Sequence, residues 1–144
     1  MAKAFHPGVL ADGIPVHCAC TCLASIDEVQ PRPNNPKLHP DSQIRLLAKV
    51  IKANGWRSPI TVSTRSQFIT KGHARYLAAK LLGVKRVPVD LQSYASERQE
   101  LEDVLADNRL AELGEMDLGV LKDILGEMDD GSIDMELTGF DEKS

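Results

Sequence analysis

The chain has 144 residues, 42% of them hydrophobic and 26% charged, which suits one globular domain with a single core. No apolar run approaches the roughly 18 residues of a membrane span, and Met1 to Gly8 carries one Lys and no apolar stretch. No membrane partner and no secretory signal are indicated, so a cytoplasmic protein is expected. The formal net charge of −4 is unevenly spread: residues 1–90 hold 13 Lys/Arg against 5 Asp/Glu, or +8, and residues 91–144 hold 4 against 16, or −12. A basic body with an acidic C-terminal part suits a polyanionic partner for the first part, and equally suits two solvated surfaces.

Residues 1–13 show little periodicity and contain Pro7, Gly8 and Gly13, so a mobile lead-in is expected. Ile14 to Cys22 reads as a first strand. Cys18, Cys20 and Cys22 would then share one face, a spacing that rarely gives disulfide geometry. The two-residue gap of zinc knuckles is missing and no second Cys pair exists, so buried or half-buried thiols are favoured over a metal site. Ser25-Ile26-Asp27-Glu28 is a capping-box pattern and predicts a short helical turn. Pro31, Pro33, Pro36 and Pro40 then exclude regular helix and central strand. The rigid loop they form, with Arg32, Asn35, Lys37 and His39, is either a connector or one wall of a site.

A helix opens at Pro40-Asp41 and ends near Asn54, with Gly55 beyond it. Ile44, Leu47, Ala48 and Ile51 mark its buried face, while Arg45, Lys49 and Lys52 suit a solvated surface. Pro59 to Ser63 and Gln67 to Thr70 are the strands of a hairpin. The hairpin delivers the chain to Lys71-Gly72 and a helix with Ala74, Leu77, Ala78 and Leu81 inward, stopped by Gly83. Arg86 to Leu91 is another strand, and Pro88 favours an edge or end position for it. Ser96 and Gln99 cap a helix reaching about Leu113, with Leu101, Val104, Leu105 and Leu110 inward. An acidic helix follows over Leu118 to Met128, with Leu118, Leu121, Leu125 and Met128 in phase. Asp129 to Ser144 is expected to be loosely held.

The turn at Lys71-Gly72-His73-Ala74-Arg75 is built to hold an anion. The first backbone N–H groups of a helix lack intrahelical partners, and the dipole adds positive charge there. Gly72 admits a ligand close to the backbone. Lys71 and Arg75 add charge and His73 a donor. Cations at the positive end of a helix cost stability unless an anion sits with them. The turn is neither a P-loop nor a dinucleotide-binding glycine motif.

Taken together, Asn34-Asn35-Pro36-Lys37, Gly55-Trp56-Arg57-Ser58-Pro59-Ile60-Thr61-Val62, Gly72-His73-Ala74-Arg75-Tyr76-Leu77-Ala78-Ala79 and Ala106-Asp107-Asn108-Arg109 resemble the ParB/sulfiredoxin superfamily in order and spacing. The resemblance spans about Ile14 to Leu113. With the ending Leu137 to Glu142 it is similar to ParB-like proteins of phages and prophages, often joined to a DNA methyltransferase domain. It implies an α/β (α+β) fold with a mixed sheet and packed helices at 14–113, preceded by the 1–13 lead-in and followed by an acidic helix and tail at 114–144. It also implies a Gly-x-x-Arg turn (Lys71, Gly72, His73 and Arg75) that grips the triphosphate of a nucleotide, CTP or ATP, with Asn35 and Lys37 adding contacts. Asp107 and Asn108 stand where the family holds Mg²⁺ and supports hydrolysis, with Asp in place of the family's Glu.

Sulfiredoxin carries a reactive Cys in this turn, and here the sequence is Gly72-His73-Ala74-Arg75, which argues against sulfinic-acid repair. No basic recognition helix follows residue 110. The partners implied are a nucleoside triphosphate, DNA or a DNA-modifying protein such as a methyltransferase, and a second copy as a homodimer. The competing readings are a nuclease or non-specific DNA-binding domain and an adaptor for a methyltransferase.

Overall fold

The computed structural model describes residues 9–129, 131 and 134–140. The part of the expected mobile lead-in at residues 1–8 and the end of the tail at 141–144 lie outside the described residues. The elements in chain order are β1 (Val9–Ala11), β2 (Ile14–Val16), β3 (Cys22–Ser25), a 3₁₀ turn (Ile26–Glu28), α1 (Asp41–Asn54), β4 (Ile60–Ser63), β5 (Ile69–Lys71), α2 (His73–Leu82), β6 (Arg86–Gln92), α3 (Glu97–Leu113), α4 (Leu118–Met128) and a second 3₁₀ turn (Met135–Thr138). The main sheet has the order β3-β6-β4-β5. β6 runs antiparallel to β3 and parallel to β4, and β4–β5 is an antiparallel hairpin. The expected mixed sheet with packed helices is therefore present. No described helix is long and apolar enough to cross a membrane.

Residues 9–13 are not a loose lead-in. Val9–Ala11 pairs antiparallel with Ile14–Val16, and the connecting Asp12 (φ 53°) and Gly13 (φ 82°) are both left-handed. That is the geometry of a two-residue hairpin turn matched to strand twist, for which Asp-Gly is a preferred pair. The Asp12 carboxylate then accepts from the backbone N–H groups of Lys85 (3.0 Å) and Arg86 (2.8 Å), tying the hairpin to the start of β6. The single strand expected over Ile14 to Cys22 is broken in two. Cys18 and Cys20 lie in the intervening loop and are buried, while Cys22 is half-buried at the start of β3. Burial raises all three thiol pKa values, that of Cys20 to about 11.

The core lies between the sheet and helices α1 and α2. Trp56, Ile60, Ile69, Val16 and Val87 are fully buried, with Ile44, Ala48 and Ile51 reaching in from α1 and Tyr76, Ala78 and Ala79 from α2. Each large apolar side chain taken out of water this way contributes about 1.5–3 kcal/mol before entropy is counted. Pro88 lies in a central strand rather than an edge one. It is tolerated because β4 pairs only from Ile60 opposite Val89 onward, while Pro88 itself stands opposite Leu23 of β3. The proline thus precedes the parallel ladder and interrupts none of its hydrogen bonds.

Three helical faces depart from expectation. On α2 the inward stripe is rotated toward Tyr76 and Ala79, leaving Leu77 and Leu81 exposed. On α3 only Glu100 and Val104 are buried, and Leu101, Leu105 and Leu110 are exposed. On α4 nothing is buried: Leu118 and Met128 are exposed, and Leu121 and Leu125 only half-buried. Periodicity alone marks a face as apolar without saying whether anything covers it. The acidic end is not uniformly loose either. Lys49 of α1 lies 2.9 Å from Asp134 and 2.7 Å from Glu136, holding the second 3₁₀ turn against α1.

Candidate functional site

The site begins where β5 hands the chain to α2. Gly72 is the N-cap, with φ 96° and ψ 26°, a left-handed conformation open to glycine at little cost. A Cβ there would also stand 3.3 Å from the Ile60 Cα. α2 has no side-chain cap and no acidic residue in its first turn. α1 also lacks a side-chain cap but has Asp41 in its first turn, whereas α3 and α4 are capped by Ser96 and Asp117. The free N–H groups at the start of α2 therefore lack a protein counter-charge on their own helix.

A cavity of about 140 Å³ opens at this helix end, lined by Asn35, Lys37 and His39 of the Pro-rich loop, the segment Thr70 to Arg75, and Asp107 and Asn108 of α3. All eight residues singled out from sequence (Asn35, Lys37, Lys71, Gly72, His73, Arg75, Asp107 and Asn108) thus face one space. Three cations, Lys37, Lys71 and Arg75, meet one carboxylate, Asp107. Such an excess favours an anion of more than one charge. Asn35 holds its loop in an Asx turn: its Oδ1 accepts from the Lys37 N–H (3.4 Å) and its Nδ2 donates to the Lys37 carbonyl (3.2 Å).

His73 is neutral. Its pKa is lowered to about 4, first by burial and then by the His39 and Arg32 charges. Its Nε2 accepts from the Arg32 backbone N–H at 3.1 Å, so its proton is on Nδ1. It can still donate one hydrogen bond but brings no charge. Lys71 Nζ is 3.5 Å from Asp103 Oδ1. The other Asp103 oxygen accepts from the Tyr94 hydroxyl at 2.5 Å, and that hydroxyl lies 3.4 Å from Thr70 Oγ1.

Sequence reasoning passed over Asp103, Tyr94 and Glu100. Glu100 is fully buried and accepts from Arg32, Ser63 and Ser66. Burial alone would raise its pKa, but the two serine hydroxyls and the Arg32 and Arg65 charges hold it below the ordinary value. A signal was available. Glu100, Asp103 and Asp107 recur at helical spacing on one face of α3, and the basic body invites such a stripe inward.

Mg²⁺ is a hard cation that often uses one or two carboxylates together with substrate phosphates. The Asp107 carboxylate and Asn108 amide oxygen suit that shared mode. Among the described residues no group of three or more His, Cys, Asp or Glu could hold a metal.

Comparison with known proteins gives the family. The family model for the ParB N-terminal domain matches residues 21–109, more than half of the chain. The chain is 31% identical over 75 residues to the ParB-like nuclease domain-containing protein YnaK of Escherichia coli, covering 52% of this chain and 85% of that protein. The fold and site define a ParB-like domain, and the chain belongs to the ParB N-terminal domain family. Among solved structures it is similar to the C-terminally truncated chromosome-partitioning protein ParB of Caulobacter crescentus complexed with CTP-γ-S (TM-score 0.59, 25% identity, 73% of this chain and 59% of that one). The truncated Caulobacter crescentus ParB complexed to the centromeric parS site matches at TM-score 0.51 and 22% identity, over 60% of this chain and 46% of that one, and shows the fold alone. The chain thus spans about half of these partition-protein structures.

Proposed function

We propose that this domain binds a nucleoside triphosphate, CTP or ATP, with the phosphates on the α2 N-terminus, and acts in a DNA-associated process. The observation that carries this is the convergence of Asn35, Lys37, Lys71, His73, Arg75, Asp107 and Asn108 on one small cavity at an uncapped helix end. In this arrangement the α2 N–H groups and Arg75 bind phosphate oxygens, Lys71 exchanges Asp103 for phosphate, and His73 donates from Nδ1. Asp107 and Asn108 would hold Mg²⁺ against the phosphates, which supplies charge neutralisation and a route to hydrolysis.

Size supports a divided ligand. A cavity of about 140 Å³ is below the ~300–1,000 Å³ that encloses a whole drug-sized ligand, and suits the phosphate chain. An adjoining groove of about 500 Å³, lined by His39, Asp41, Ile44, Arg45, Leu77, Lys80 and Leu81, shares His39 with it and has room for base and ribose. The exposure of Leu77 and Leu81 supports the groove as an apolar wall. Calorimetry with CTP, ATP and GTP in the presence of Mg²⁺ tests the proposal. Saturable binding of at least one is expected, and no heat from any of them near millimolar with folded protein would sink it.

The likeness to YnaK, named for a nuclease domain, supports a second reading: Mg²⁺-dependent DNA cleavage at the same basic cavity. A plasmid-nicking assay separates the two. Cleavage lost in both Arg75→Ala and His73→Ala favours the nuclease, and cleavage unchanged in both marks a contaminant.

A further inference from the structure

Glu100 is 0% exposed and does not line the cavity. A buried carboxylate is costly unless paired and hydrogen-bonded, and this one is heavily supplied. The Arg32 guanidinium donates to Oε2, the Ser63 hydroxyl donates to Oε1, the Ser66 hydroxyl donates to Oε2 at 2.7 Å, and Arg65 Nε lies 3.4 Å from Oε1. These partners belong to two segments: the Pro-rich loop, which lines the cavity through Asn35, Lys37 and His39, and the β4–β5 turn, which leads through β5 to the anion-binding turn.

The serines are themselves fixed. Ser63 Oγ accepts from the backbone N–H groups of Arg65 (3.1 Å) and Ser66 (3.2 Å), and Ser66 Oγ accepts from that of Phe68 (3.2 Å). On the other side the Arg32 guanidinium lies 5.8 Å over the Phe68 ring, and its Nε is buried without a partner among the described residues. The arrangement thus carries a polar cost. Holding α3 in place does not demand it: Val104, one turn along, is 2% exposed, and apolar packing is commonly at least as stabilising as a buried ion pair. What the ion pair supplies is a fixed geometry for Arg32, whose fork accepts few alternative poses. Arg32 in turn donates its backbone N–H to His73 Nε2 at 3.1 Å.

We propose that the Glu100–Arg32 pair is a positioning device for the anion site. It fixes the start of the Pro-rich loop, and the Arg32 N–H then holds His73 as the Nδ1–H tautomer, the form that keeps a donor for phosphate. The inference rests on the triphosphate-binding proposal above. Glu100 does not touch the ligand and acts through Arg32.

The test uses the full chain with two readouts: imidazole ¹⁵N NMR for the His73 tautomer, and calorimetry with CTP or ATP, whichever binds, plus Mg²⁺. Wild type is expected to show the Nδ1–H tautomer alone. Glu100→Gln, which keeps the shape and removes the charge, is expected to mix the tautomers and weaken binding roughly tenfold, the scale of coupling within one hydrogen-bonded network. In a His73→Ala background the same substitution is expected to weaken binding less than about twofold, since the two changes act along one path. Arg32→Lys keeps the charge without the fork and is expected to repeat the tautomer mixing, which serves if Glu100→Gln fails to fold. An unchanged tautomer and Kd in the folded variants, whatever their melting temperatures, overturns this inference alone. Absence of triphosphate binding by wild type overturns the binding proposal and this inference with it.

Discussion

Helices α2 and α3 both line the cavity, yet they begin in opposite ways. α3 is closed by its own sequence: Ser96 Oγ accepts from the Gln99 N–H at 3.1 Å, Gln99 Oε1 accepts from the Ala95 N–H at 2.6 Å, and Glu97 and Glu100 sit in the first turn. α2 starts on a left-handed glycine without side-chain cap or acid, between Lys71 and Arg75. A helix satisfied from within serves the fold. One left open and flanked by cations is set up to be satisfied from outside. Removing a cation that flanks the α2 start should therefore move binding, and removing the Ser96 cap of α3 should move stability.

The largest expected effect is at Arg75. Charge-assisted hydrogen bonds are worth about 1.5–3 kcal/mol, so Arg75→Ala should weaken triphosphate binding roughly 10- to 100-fold with little change in melting temperature. A Kd within twofold of wild type would break the comparison. Gly72→Ala forces a side chain into a left-handed site and against Ile60, and should cost roughly 1–3 kcal/mol of stability, read by urea denaturation. An unchanged midpoint would mean that the turn relaxes freely.

A separate effect concerns pH. The unfolded chain protonates His73 near 6.5 and the folded chain only near 4. The unfolded state therefore binds more protons within that window, and stability should rise with pH across it and be constant above it as far as this group is concerned. His73→Gln should flatten that part of the curve, and parallel curves for the two proteins would place His73 in solvent. The smallest effect is Ser96→Ala. Loss of this cap should cost about 1 kcal/mol of stability and leave Kd unchanged, and a shift in Kd would show that the cap itself, and not Glu100 alone, communicates with the ligand.

Much of this was legible from residue order. The capping pattern at Ser96, the stop at Gly83 and the hairpin before Lys71 are local, set by turn and cap chemistry within a few residues. Asp12-Gly13 carried an equally local hairpin signal, masked by the reading of residues 1–13 as a lead-in. The rotation of α2 toward Tyr76 and Ala79 and the bare faces of α3 and α4 were not legible, because a periodic apolar stripe does not state which neighbour covers it. The spacing of Glu100, Asp103 and Asp107 marked an acidic face, but not that Glu100 is buried: a charged residue in the first turn of a capped helix reads as dipole compensation until its partners are in place.

The sequence by itself determined the strand–glycine–helix turn, its basic flanks, and the chemistry available at Lys71, Gly72, His73 and Arg75, since these depend on backbone rules and side-chain type alone. The family resemblance set the Asn35–Lys37 loop and the Asp107-Asn108 segment beside that turn, and only the tertiary structure decided that they line one cavity with it. It also decided that His73 is neutral and that a buried carboxylate 27 positions further along the chain stands behind it. Those facts follow from burial and from contacts between residues distant in sequence, which no local pattern encodes.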